Sequence, residues 1–284
     1  EKEQLAPILK AESAKLEKLH QYKVNPNDDN TVAYDINELP TEVIKELSLF
    51  GSDLVNQVRK QVGSSSSVVS ASSIDFADRV TDGYVAHKWN LDEASKRGAV
   101  GHDAKAVNEA AAYYGLPTTN PTREAQGWQY YENWAGSTGY SDKMTLAQLK
   151  AAVYESMLQF MFSEYEWDHA SSIADAAHSI SAGKHDYIGI DSSSPKGGEG
   201  SWNGLHFLKV DSDYLDVATK NNFDRTVIEN HYDSSAILAE KDKAEKAYNQ
   251  SKVAYEAGQN ELNQVKAEYN KALKAYNEAV NKRK

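Results

Sequence analysis

The chain has 284 residues, of which 40% are hydrophobic and 10% aromatic, so it can build a folded core and is not a wholly disordered protein. A net charge of -11 and a pI near 5.2 exclude nucleic-acid binding through a broad basic face. The absence of cysteine excludes disulfide bonds and thiolate catalysis. No apolar run approaches the ~20 residues of a membrane span, so we expect no transmembrane segment. We expect the sequence to be a segment of a longer protein.

The first predicted element is a helix over residues 1–24. Leucines at positions 5, 9, 16 and 19 recur at helical spacing and form one apolar stripe. The turn-forming run NPNDDN at 25–30 ends this helix and begins the predicted globular region, residues 25–230.

Four amphipathic helices are predicted in the globular region, at 39–63, 73–89, 103–116 and 145–162. Pro40 and Thr41 are start signals for the first, and Gly115 followed by Pro117 ends the third. The serine run at 64–67 is interpreted as a flexible connector. A domain boundary at this point is disfavoured, because apolar patterning resumes directly after the run.

Two segments late in the globular region have strand character. HDYIGI at 185–190 and LHFLKV at 205–210 are separated by a Ser/Gly-rich stretch, which predicts a hairpin with a long loop. Helices followed by a small antiparallel sheet indicate the α+β class.

Residues 231–284 are predicted to form one long coiled-coil helix. Tyr248, Tyr255, Leu262, Tyr269 and Tyr276 recur every seven residues beside a second series of mostly small residues, so both series share one seam. A single helix cannot bury such a seam, and the apolar stripe of 1–24 is a compatible partner. We therefore expect an antiparallel helical hairpin that carries the globular domain at its tip. The alternative is self-association of two chains through the same seam.

Five segments, taken in order, resemble the CAP superfamily, which comprises cysteine-rich secretory proteins, antigen 5, plant pathogenesis-related proteins and bacterial secreted relatives. They are GHDAKAVNEAAAYYGL, ENWAG, MFSEYEWDHASSI, HDYIGI and LHFLKV, within residues 74–210. A cysteine-free CAP-like domain flanked by coiled-coil helices is similar to the surface-exclusion proteins of Gram-positive bacteria. The resemblance implies a CAP-like α-β-α sandwich with a small antiparallel sheet.

The resemblance also implies a shared cleft with two histidines and two acidic residues. The matching positions are His102, Glu132, Glu164 and His169, with Glu166 and Asp168 as alternatives to Glu164. Two imidazoles and two carboxylates suit a divalent cation such as zinc, calcium or magnesium.

Each candidate also has a structural interpretation. His102 precedes Asp103, a predicted helix N-cap, and EYEWDH alone is typical of a polar helix end. Glu132 in ENW can hold a loop in place by accepting backbone N–H bonds, a role compatible with a place in the cleft. No serine lies in a GxSxG elbow, so a hydrolase would have to use water activated by these four residues.

The expected function is that of a cell-surface interaction module presented on a helical stalk. The resemblance implies a role in surface exclusion during conjugation, in adhesion or in biofilm control, with attachment to the cell wall through regions outside this sequence. The expected partner is another bacterial surface protein or an extracellular matrix or host component, and the chain is a monomer or a coiled-coil dimer. The alternative is a metal-dependent protease that uses the His/Glu/Glu/His cleft, and apolar-ligand binding is a third interpretation.

Overall fold

A computed structural model describes residues 2–99, 101–137, 141–163, 166–175, 184–195 and 203–283. The chain divides into two compact units, Glu1–Tyr232 and Asp233–Lys284. Glu164, one of the four predicted site residues, lies outside the described residues.

The first unit contains nine helices and six strands in its described part. The helices are α1 Lys2–Leu19, α2 Thr41–Val62, α3 Ala71–Ala86, α4 Leu91–Lys96, α5 Ala104–Tyr113, α6 Pro121–Ala125, α7 Leu146–Met161, α8 Asp168–Ala174 and α9 Ser212–Val217. The strands are β1 Ala33–Asp35, β2 Ser67–Val68, β3 Glu132–Ser137, β4 Lys143–Thr145, β5 Asp186–Ser193 and β6 Asn203–Asp211.

A four-stranded sheet forms the centre of this unit, with strand order β2-β5-β6-β3. The β5–β6 and β6–β3 pairs are antiparallel, and the short β2 pairs with β5 in parallel. Strand β3 is an edge strand among the described strands. The predicted hairpin of the two late strands is confirmed.

Alternation along the strands divides the core into two apolar layers. Ile190 and Phe207 point to one face, where they pack with residues of α2 and α7. Tyr187 and Leu208 point to the other face, where they pack with residues of α3 and α5. The helices on both faces of the sheet make the unit an α-β-α sandwich, as the resemblance to the CAP superfamily implies.

A close approach between α3 and β5 brings the second layer against the sheet. A capping box begins α3, with the Ser70 side chain accepting from the Ser73 backbone N–H. A Cβ placed on Gly189 would lie 1.9 Å from the Ser73 carbonyl oxygen. Only glycine permits this separation between the helix and the strand.

The four helices predicted in the globular region are confirmed, with ends that differ by no more than three residues. The first helix ends earlier than predicted, at Leu19. The following His20 ring nitrogen Nδ1 lies 2.7 Å from the Leu16 carbonyl oxygen, and its ring contacts Phe162. The first contact closes the end of the helix, and the ring contact with Phe162 joins the chain to the globular region at this point.

The interpretation of the serine run 64–67 as a flexible connector is wrong. Ser64, Ser65 and Ser67 are buried, and Ser67 begins β2. The Arg59 guanidinium donates to the Ser65 carbonyl oxygen at 3.0 Å, and the Asn56 amide donates to that of Ser67 at 2.8 Å. Serine is small and can hydrogen-bond within a core, so a serine run does not by itself indicate a linker.

The second unit is the single helix α10, Ser235–Asn281, which has 47 residues. The tyrosines and leucine of its predicted seam are solvent-exposed. None of the described helices is both long and apolar enough to cross a lipid bilayer.

Candidate functional site

The edge strand β3 carries the central residue of the site. Glu132 is the first residue of this strand, and its side chain is completely buried on the face that packs against α3 and α5. The preceding Gln129 holds the strand start in place, because its side-chain oxygen accepts from the Glu132 backbone N–H at 2.6 Å and its amide donates to the Glu132 carbonyl at 2.9 Å.

Both carboxylate oxygens of Glu132 are engaged. Oε2 accepts from the Tyr84 hydroxyl at 2.7 Å and lies 2.7 Å from Nδ1 of His102. Oε1 lies 2.5 Å from Nδ1 of His206. Burial opposes ionisation, but the charge of His206 and the hydrogen bonds from His102 and His206 outweigh it and lower the pKa of Glu132 to about 2. Glu132 is therefore an ionised carboxylate at neutral pH.

The Glu132 cluster continues into the start of α5. The Tyr84 hydroxyl accepts from the Asp103 backbone N–H at 2.8 Å, and burial raises the pKa of Tyr84 well above its ordinary value. Asp103 caps α5 by accepting from the Ala106 N–H, as the sequence predicts, and its other oxygen lies 2.6 Å from Nδ1 of His87. This cap fixes the loop that carries His102.

His169 lies on the opposite layer of the sandwich, in the short helix α8. Its ring stacks on Phe160 with centroids 5.1 Å apart, and Phe160 packs on Phe207 of β6. Nδ1 of His169 lies 2.7 Å from Oε1 of Glu166. Burial opposes ionisation of Glu166, but the hydrogen bond and the charge of His169 outweigh the effect of burial and lower the pKa of Glu166.

A cleft of about 220 Å³ connects the two layers at the edge of the sheet. Its lining includes His102, Glu132 and His169, so the structure brings these three predicted residues to one cleft. Asp168 also lines it, whereas Glu166 is the acidic residue that contacts His169. The other lining residues are Gln129, Tyr130, Tyr131, Asn133, Ser172 and Lys209.

The two cleft histidines share one arrangement. Each has Nδ1 within 2.7 Å of a carboxylate oxygen, and neither Nε2 has a hydrogen-bond partner within the described part of the chain. A carboxylate at Nδ1 favours the tautomer that has its proton there, which leaves the lone pair on Nε2. The cleft can therefore present two neutral imidazole nitrogens to a ligand.

Sequence reasoning missed two members of the cluster, Tyr84 and His206. Tyr84 lies on the apolar face of the helix predicted at 73–89, where no sequence pattern distinguishes it from an ordinary core residue. His206 alternates with Phe207 on a predicted strand, and this alternation alone does not show whether His206 faces the cleft or solvent. It is completely buried. The register of β6 with β3 places His206 opposite Trp134. Trp134 and Glu132 are two residues apart on β3 and share one face of the sheet, so this register brings His206 next to Glu132.

An acidic group lies outside the cleft, at Asp175, Asp186 and Asp211. Arg59 contacts Asp186 at 2.6 Å, and Lys209 lies 3.7 Å from Asp175 and 3.5 Å from Asp186. The two cations offset the negative charge, so this group is an ion-pair network of the core.

No protein-family model matches the sequence, and no curated protein matches it. Among solved structures, the CAP domain of Enterococcal PrgA has a similar fold, with a TM-score of 0.58. The sequences are 23% identical, and the match covers 81% of this chain and 89% of that chain. A likeness at this identity concerns the fold alone. It confirms the resemblance that the sequence motifs indicate: this chain has the fold of a CAP domain.

Proposed function

We propose that this chain is a cell-surface interaction module, in which a CAP-fold domain is presented on a helical stalk and contacts a component of another surface. The observation that carries the proposal is the exposed heptad seam of α10, in a chain whose other unit has a CAP-like fold. At 1.5 Å per residue, a helix of 47 residues is about 70 Å long. A rod of this length separates a binding domain from its point of attachment.

The stalk requires a partner for the α10 seam. We propose that this partner is the N-terminal segment 1–24, whose Leu5, Leu9 and Leu19 are exposed. An intramolecular hairpin predicts a monomer, and it predicts that Leu9→Glu lowers the hydrogen-exchange protection of α10 as Tyr255→Glu does. Asn263→Glu, on the polar face of α10, is the control and leaves the protection unchanged. The hairpin would be contradicted by a solution mass of twice the monomer mass, together with a loss of α10 protection in Tyr255→Glu but not in Leu9→Glu. This result would indicate a dimer formed through the α10 seam.

The proposed partner is a protein of a bacterial surface or a component of the extracellular matrix or host. The associated processes are exclusion of mating cells, adhesion and biofilm control. The test is binding of the fluorescently labelled chain to Gram-positive cells, measured by flow cytometry against cell number. An interaction module gives saturable binding that the His169→Ala variant retains. Absence of saturable binding would contradict the proposal.

A metal-dependent hydrolase is the second candidate, and the two carboxylate-bound histidines of the cleft favour it. The donors available for a cation are Nε2 of His102, Nε2 of His169 and the carboxylate of Asp168, which all belong to cleft-lining residues. The ligand atoms of these three residues do not all lie within 4.8 Å of one another, so an ion would have to draw them together. A pair of imidazoles with carboxylates behind them suits zinc better than calcium or magnesium. Glu132 then orients His102, because its two oxygens already bind three other side chains.

A bound zinc ion would supply water activated at neutral pH, together with polarisation of a carbonyl group. The carboxylates of Glu132 and Glu166 would hold His102 and His169 in the required tautomer. Calorimetric titration with zinc, calcium and magnesium tests the candidate. Zinc binding should be lost in His102→Ala and in His169→Ala, and retained in His231→Ala, which alters an exposed histidine beside Glu46. Equal binding by all four chains would contradict it.

A further inference from the structure

A buried hydrogen-bonded chain lies behind the cleft. The Ser193 hydroxyl oxygen lies 2.7 Å from Nε2 of His206, and Nδ1 of His206 lies 2.5 Å from Oε1 of Glu132. All three side chains are buried, and those of His206 and Glu132 have no exposed surface. An ionised carboxylate only accepts hydrogen bonds, so the His206 Nδ1 proton must point to Glu132. The hydroxyl can donate or accept and therefore satisfies Nε2 in either protonation state of the ring.

Two aromatic rings fix the plane of His206. Trp134 stacks on it with an interplanar angle of 10° and a centroid separation of 5.7 Å. Tyr84 meets it edge-on, with centroids 4.4 Å apart. Gly204 makes room for this stack, because a Cβ there would lie 2.0 Å from Nε1 of Trp134. The His206 ring thus has one orientation, and its Nδ1 has one direction in which to donate.

The fixed orientation of His206 affects the cleft through the two carboxylate oxygens of Glu132. His206 holds Oε1, and the carboxylate plane then places Oε2 between the Tyr84 hydroxyl and Nδ1 of His102. We propose that His206, supported by Ser193, is a positioning residue that orients Glu132 and thereby fixes the His102 ring with a bare Nε2 towards the cleft. This inference rests on the proposed use of His102 Nε2 as a donor to a cleft ligand.

The order Ser–His–Glu also resembles the hydrogen bonds of a nucleophilic catalytic triad. The two roles differ in what the serine must reach. Ser193 is only 1% exposed, and its hydroxyl bonds to a ring that is itself completely buried. A substrate carbonyl has no path to it through the described residues. The hydrogen bonds from Ser193 through His206 therefore lead to the buried Glu132 and not to a substrate. The role of Ser193 is to complete the hydrogen bonding of His206.

Two substitutions of His206 separate its two hydrogen bonds. The Asn side-chain nitrogen is as many bonds from Cα as Nδ1 of histidine, so His206→Asn keeps a donor for Glu132 and loses the bond to Ser193. The Gln nitrogen corresponds to Nε2, so His206→Gln keeps the Ser193 bond and loses the one to Glu132. Both variants introduce the same buried carboxamide, which matches them for general effects on stability.

The readout is the ¹⁵N spectrum of histidine-labelled, metal-free protein, in which the His102 signals show which ring nitrogen holds the proton. The unsubstituted chain and His206→Asn should show a protonated Nδ1 and a bare Nε2 in His102. His206→Gln should show a mixture of tautomers. Zinc affinity, measured by calorimetry, should fall about 10- to 100-fold in His206→Gln relative to His206→Asn. Melting temperatures establish that the compared chains are folded.

Three results would overturn the inference. They are an unchanged His102 tautomer in His206→Gln, an equal loss of the Nδ1-protonated His102 tautomer in His206→Gln and His206→Asn, and labelling of Ser193 by a fluorophosphonate probe. If the unsubstituted chain binds no zinc, the metal-hydrolase candidate fails, but the tautomer measurement still tests the positioning role. The two failures are thus distinguishable.

Discussion

Replacing Glu132 by glutamine tests the electrostatic centre of the site. The folded chain lowers the pKa of this carboxyl from 4.5 to about 2, against the cost of burial. At 1.36 kcal/mol for each tenfold change in acidity, this difference corresponds to about 3 kcal/mol of stability. Because the folded pKa is the lower one, this stabilisation is fully present above pH ~4.5 and is lost as the pH falls towards 2. Glu132→Gln should therefore lower the free energy of unfolding by about 3 kcal/mol at pH 7.

The assay is urea unfolding followed by tryptophan fluorescence at several pH values. All five tryptophans belong to the first unit, so the signal does not include α10. The free-energy difference between the two chains should shrink as the pH falls from 4.5 towards 2. Glu166→Gln is the matched control, because it removes a carboxylate that also contacts a histidine but is 40% exposed. It should cost less than about 1 kcal/mol.

Equal stability of Glu132→Gln and the unsubstituted chain at pH 7 would refute this reasoning. So would a free-energy difference that stays constant from pH 7 to pH 2, because it would show that the loss comes from packing and not from charge. A large loss in Glu166→Gln would show that burial does not separate the two carboxylates as the structure indicates.

Three further substitutions test the core. Arg59→Met removes the closer of the two cations beside the buried Asp186 and leaves only Lys209, 3.5 Å away, so it should cost about 3 kcal/mol in guanidinium unfolding, with partial recovery when Asp186→Asn is added. Gly189→Ala forces a Cβ against the Ser73 carbonyl and should lower stability by about 1–3 kcal/mol, measured by thermal unfolding. Burial raises the pKa of Asp191 to about 7 from 3.8, so its contribution to stability falls as the pH rises through this range. Asp191→Asn should therefore stabilise the chain at pH 8 more than at pH 5, as urea titrations at both values will show.

The helical part of the fold could be predicted because its signals are local. Apolar spacing, Pro40 before α2 and the Asp103 cap of α5 each act within one or two turns of a helix. Strand β3 could not be predicted in the same way. Its sequence, ENWAGS, contains Asn, Gly and Ser, which are poor strand formers, and its strand conformation depends on pairing with β6.

The residues of the candidate site also differ in whether a local sequence signal or a long-range contact identifies them. His102, Glu132 and His169 could be selected because each lies in a motif that resembles the CAP superfamily. The acidic partner of His169 could not be selected from Glu164, Glu166 and Asp168, because all three lie within five residues of His169 in the sequence. The structure shows the Glu166 contact, and Glu164 lies outside the described residues. Long-range register, absent from any local pattern, placed His206 against Glu132.

The position of β3 at the edge of the sheet explains how the two histidines reach one cleft. His102 is held through Glu132 on the α3 and α5 face, and His169 is held through Phe160 on the α2 and α7 face. On an interior strand, neighbouring backbone would separate these two layers. At an edge, side chains from both layers extend past the strand and line the same space. A ligand that bridges His102 and His169 would therefore bind both layers of the sandwich, and its binding should raise the stability of the whole first unit.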